Sequence, residues 1–141
     1  MTTAKISMNT QDDLGKLVLR VTLAVLLLFH GVSKLFNGVG FITSMLANMG
    51  LPAFLGYLVY VGEIVAPLMI LFGIATRAAA AVVAINMIVA ILLVHTGELF
   101  KLSSTGGWAL ELQGMFLVSA IVVALLGAGR YSVAGKGGRL N

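Results

Sequence analysis

The stretch Leu51–Thr76, LPAFLGYLVYVGEIVAPLMILFGIAT, carries one charged residue, Glu63, near its centre. It is longer than the roughly 20 residues a helix needs to cross a bilayer at about 1.5 Å per residue. A carboxylate in the middle of such a span costs at least about 2.5 kcal/mol on insertion scales, so it needs a partner, a proton or water. The stretch reads as a membrane span. Glu63 is the residue in it that needs a functional explanation.

Composition extends the reading to the whole chain. Of 141 residues, 60% are hydrophobic and 10% charged, with a mean hydropathy of +1.07. A soluble domain carries about 25% charged residues, so this chain could not clothe itself in water. Its length allows four spans with short loops and leaves no room for a soluble catalytic or nucleotide-binding domain. The pI near 9.8 does not indicate nucleic acid, because the basic residues stand at the ends of apolar segments, as membrane orientation requires. Cysteine is absent, which removes disulfides, thiol relays, thiolate metal sites and Cys-attached haem. A redox role would have to use a bound cofactor or a partner's chemistry.

The fold expected is all-α: an integral membrane four-helix bundle with spans at about 14–36, 53–75, 76–96 and 107–129. Residues 1–13 and 130–141 read as polar, mobile cytoplasmic tails. The first span is too long for a signal peptide and lacks a small-residue cleavage site, so it is expected to remain. The second and third spans, joined at Thr76-Arg77, form a tight antiparallel hairpin. Between the first two spans, Phe41, Ile42, Met45, Leu46 and Met49 recur at helical spacing before Gly50 and Pro52. This predicts a short amphipathic helix. LLLFHGVSKLF at Leu26–Phe36 also resembles ILLVHTGELF at Ile91–Phe100, a faint sign of a duplicated hairpin. Seven basic residues (Lys5, Lys16, Arg20, Arg77, Arg130, Lys136, Arg139) fall on the tail side, against Lys34 and Lys101 opposite. The positive-inside rule then places both termini in the cytoplasm of a bacterial inner-membrane protein.

Depth follows from centring each span. Glu63 and Asn86 fall near the midplane, His30 and Glu111 about 7–10 Å above it, and Lys34 and His95 roughly 13 Å above it. Arg20 falls about 7 Å below, where it could snorkel to phosphates or reach up to Glu63. Charged residues in spans turn inward, so His30, Lys34, Glu63, His95 and Glu111 are expected to converge on an outward-facing polar pocket, with Arg20–Glu63 as a structural ion pair. Asn86 reads first as glue between helices. No Glu-x-x-His or His-x-x-x-His spacing occurs on any span, which argues against a metal. A protonatable pocket beneath an amphipathic cap suits a quinone or another amphiphile, whose carbonyls need donors. It equally suits proton or solute passage.

Several motifs, taken in order, resemble those of a known family. They are Arg20, Phe29-His30-Gly31 with Lys34-Leu35-Phe36, Gly50-Leu51-Pro52, Gly62-Glu63, Gly73 before Thr76-Arg77, and Gly127-Ala128-Gly129-Arg130-Tyr131-Ser132. Together they resemble the DoxX family of small bacterial membrane proteins over about Leu14 to Val133. The resemblance implies a four-helix membrane fold. The family takes its name from a subunit associated with an archaeal thiosulfate:quinone oxidoreductase or quinol oxidase, and other members are linked to oxidative-stress complexes and aromatic-compound degradation. It thus implies a redox-associated subunit with a quinone-like ligand and a redox partner protein beside the lipid bilayer. Self-association is left open. Ala134 stands where the family often has Asp, so a role tied to that carboxylate does not carry over. Two other readings stay open, a small-solute or proton transporter and an assembly subunit without a ligand of its own.

Overall fold

The computed structural model describes residues 2–141, with side chains from residue 9 onward; Lys5, counted above on the tail side, lies outside the described side chains. Helix α1 spans Thr2–Asn37 and α2 spans Gly40–Asn48. Helix α3 spans Ala53–Phe72, α4 spans Thr76–Val94 and α5 spans Glu111–Leu126. Three of these (Asn9–Asn37 of α1, α3 and α4) are long and apolar enough to cross a membrane, and α5 is a shorter apolar helix. Among the described residues there is no strand, only one isolated bridge between Leu102 and Trp108.

The bundle closes on a core of Leu23, Ala24 and Leu27 from α1, Ala66 and Ile70 from α3, Ala79, Ala80, Val83 and Met87 from α4, and Phe116, Ala120 and Val123 from α5. The alanines let α4 and α5 pack along most of their length, as small residues do where the surrounding lipid is as apolar as the side chains. Large apolar side chains cover the outside instead: Phe29, Ile85, Leu92, Met115 and Leu125 are all exposed. A bundle that is oily inside and out has hydrocarbon as its solvent, and the chain is a membrane protein.

Helix α3 is not uniform. It opens as a 3₁₀ segment at Ala53–Leu58, widens to a π segment at Val61–Val65, and continues as a regular α-helix from Ala66 to Phe72. Pro67 explains the widening. It has no N–H for the carbonyl four residues back, that of Glu63, and its ring would press on that oxygen. Shifting to wider bonds, such as Ala66 N–H to the Val61 carbonyl, relieves the crowding. Glu63 therefore sits inside a π-bulge, its carbonyl released from the usual bond to the residue four ahead.

Two expectations about the ends are corrected. The first helix does not begin near Leu14; it runs through the stretch read as a tail, from Thr2. The C-terminal segment is not free either. It folds back beneath the bundle, with Val133 N donating to the Phe72 carbonyl at 2.9 Å and Ala134 N to the Gly73 carbonyl at 3.2 Å. Asn141 Oδ1 accepts from Thr76 Oγ1 at 2.8 Å, and Lys136 pairs with the buried Asp13 at 2.7 Å. These contacts satisfy groups that the turn between α3 and α4 would otherwise leave bare.

Candidate functional site

The site is assembled where α1 meets the π-bulge. Gly31 of α1 lies directly on the released Glu63 carbonyl: a Cβ there would stand 2.4 Å from that oxygen and 2.5 Å from Ile64 Cγ1. One turn further along α1, Lys34 reaches the Glu63 carboxylate and forms an ion pair with it. Tyr60 Oη donates to the Lys34 carbonyl at 3.0 Å and ties the end of α1 to α3. Across the bulge, Gly62 makes room for Asn86 of α4, whose Cγ would lie 2.4 Å from a Cβ at that position. Two glycines thus let three helices close on one carboxylate.

The ion pair is a correction. Arg20 does not meet Glu63; it is buried and donates to the carbonyls of Ile70 at 2.8 Å, Leu71 at 2.7 Å and Tyr131. The reason is register. Arg20 is level with Ile70 and Leu71, and Ile70 lies seven residues below Glu63, about 10 Å along the helix. Glu63 is level with Gly31, so Lys34 is the nearer cation. Centring every span on one midplane put Glu63 too low against α1 by about two turns.

Above the pair lies a cavity of about 760 Å³, bounded by the upper ends of α1, α3 and α4, the start of α5, and α2 as a cover. Helix α2 contributes Phe41, Ile42 and Leu46, the apolar face that its spacing predicted. The polar residues lining the cavity are His30, Lys34, Glu63, Asn86, His95 and Gln113. His30 is exposed and meets Phe116 edge-on, with ring centroids 5.6 Å apart. Gln113 Nε2 donates to His95 Nε2 at 3.2 Å, which leaves the ring proton on Nδ1 to be donated to Glu98 Oε2 at 2.8 Å. Asn86 Nδ2 is buried and has no hydrogen-bond partner among the described residues.

Of the five candidates, the structure brings His30, Lys34, Glu63 and His95 to one cavity. Glu111 lies outside its lining, exposed, with its carboxylate turned back over Gly107. As the first residue of α5, it faces the positive end of its own helix, a favourable place for an anion. Gln113, which holds His95, was missed because a lone glutamine on an apolar span carries no distinguishing pattern. Among the described residues no three His, Asp or Glu side chains converge as a metal site.

Comparison with known proteins identifies the family. A relative from Bacillus subtilis (strain 168), named "Putative oxidoreductase CatD", is 31% identical over 121 residues, covering 86% of this chain and 85% of its own. No solved structure matches the chain. The sequence pattern of the DoxX family matches residues 15–96, which contain Arg20, His30, Gly31, Lys34, Gly62, Glu63, Asn86 and His95. The residues around the ion pair thus fall within that match, and the chain belongs to the DoxX family.

Proposed function

We propose that the protein is a redox-associated subunit of the bacterial inner membrane that binds a quinone-like or other amphiphilic ligand in the cavity above Glu63. The observation that carries the reading is a half-buried ion pair, Lys34–Glu63, on the wall of a largely apolar cavity. An apolar chamber with a few convergent polar groups is the usual form of a small-molecule site. The relative's name, an oxidoreductase, supports the redox association. A transporter would need a second opening on the far side. Below the cavity floor, Leu23, Ala24, Ile70, Ala80 and Ala120 form a packed layer, which favours a one-sided binding chamber.

Mass spectrometry of small molecules retained by the purified protein tests the reading. A quinone or other amphiphile is expected at near-stoichiometric amount, and His30→Ala is expected to reduce it while barely moving the melting temperature. His30 is exposed with one ring contact, so it has little packing to lose. A folded wild-type protein that retains nothing, or a His30→Ala protein that melts much earlier, would count against the site.

The orientation is part of the same proposal: a multi-pass protein with both termini in the cytoplasm. The Asp13–Lys136 contact, which joins the two terminal segments on one side of the bundle, supports it. Reporters fused at either end are expected to read cytoplasmic, and one inserted in residues 97–106 to read external. Termini found outside would invert the cavity's orientation.

A further inference from the structure

We infer that the Lys34–Glu63 pair makes the head-group end of the cavity a selector for uncharged, carbonyl-bearing amphiphiles and against anionic ones. The inference rests on the reading of the cavity as an amphiphile site and narrows the class of ligand it takes.

The argument is one of charge. Lys34 is the cation lining this cavity, and Glu63 already neutralises it. Glu63 is 6% exposed, and Gly31 packs α1 onto its backbone carbonyl, so the paired carboxylate sits in the wall with little access to water. An anionic head group would approach a buried carboxylate and find no unpaired cation, which a largely apolar site penalises. An uncharged carbonyl meets no such barrier and needs only donors. The Lys34 ammonium has three N–H groups, of which one serves Glu63. Asn86 supplies an amide whose buried nitrogen has no partner, and turning that amide would present its N–H to the cavity. His30 lines the cavity with no hydrogen bond among the described residues.

The route in agrees. Val61, Ile85 and Val89, on facing sides of α3 and α4, line the cavity and are exposed, so the cavity is not closed between these helices. The chamber therefore opens sideways toward acyl chains, a path open to a ligand already dissolved in the bilayer.

The test compares two ligands of equal tail length, a decyl-benzoquinone and decanoate, by equilibrium binding to purified protein in nanodiscs. The wild type is expected to bind the quinone at least about tenfold more tightly. Glu63→Gln, which frees the Lys34 ammonium, is expected to raise decanoate affinity by about tenfold or more through a charge-assisted bond. Lys34→Gln added to Glu63→Gln should abolish that gain. Equal wild-type affinity for the two ligands would overturn the selector while leaving an amphiphile site in place. So would a folded Glu63→Gln protein with no gain for decanoate. A wild type that binds neither ligand would overturn the amphiphile site itself. Should Glu63→Gln fail to fold, the wild-type preference alone decides.

Discussion

Arg20→Met is expected to destabilise the protein strongly and to release the C-terminal segment. The guanidinium serves the carbonyls of Ile70 and Leu71, in the last turn of α3, together with that of Tyr131 in the returning segment. Losing the donor to buried carbonyls costs about 1–3 kcal/mol for each group left unsatisfied. A total loss of roughly 2–6 kcal/mol follows for the Leu71 and Tyr131 carbonyls, since Ile70 keeps a second donor in Gly73 N. Denaturant melts in detergent would measure it, and limited proteolysis should show residues 130–141 becoming cleavable. The double change Arg20→Met with Glu63→Gln discriminates further. Because Arg20 and Glu63 do not touch, their losses should add to within about 0.5 kcal/mol. Recovery in the double mutant would restore the Arg20–Glu63 pair and refute the register described above.

Gly31→Ala is the second large effect. The new methyl would stand 2.4 Å from a backbone oxygen, which cannot swing aside as a side-chain end could. Overpacking of this kind costs about 1–3 kcal/mol or more. Here it also separates α1 from the bulge and lifts Lys34 off Glu63. Gly15→Ala is the matched control. It lies in the same helix with nothing within 4 Å of the added carbon, so helix propensity alone should act, in the stabilising direction by up to about 1 kcal/mol. Equal melting temperatures for the two variants would mean that α1 does not rest on Glu63.

What the sequence made legible was decided by period and composition. Apolar length found the long helices, helical spacing with Gly50 and Pro52 found α2, and the cost of a charge in lipid drew attention to Glu63. Four of five candidate side chains reached one cavity for the same reason: polar groups on spans turn away from lipid. Register between helices was not legible. It depends on which residues permit backbone contact, and glycines such as Gly31 and Gly62 announce this only once the neighbouring helix is in place. The π-bulge was hidden likewise. Pro67 signals a disturbed helix, but whether the helix kinks or widens is settled by what packs beside it. The C-terminal segment looked like a free tail because its order comes from backbone carbonyls at the end of α3 and from Arg20 and Asp13, none of which its own composition reveals.

The shortness of α5 has a consequence for the surrounding lipid. Its 16 residues rise about 24 Å, against a hydrocarbon thickness of roughly 30 Å. Along that flank the bilayer must thin, or head groups must bend down to meet the helix end. The helix begins at Glu111, close in sequence to Gln113, which in turn holds His95 at the cavity rim. With α5 seated across the membrane as proposed, thinning at this end would bring the wet boundary down beside His95 and Glu98. One wall of the chamber would then face oil, with the opposite rim within a proton's reach of water.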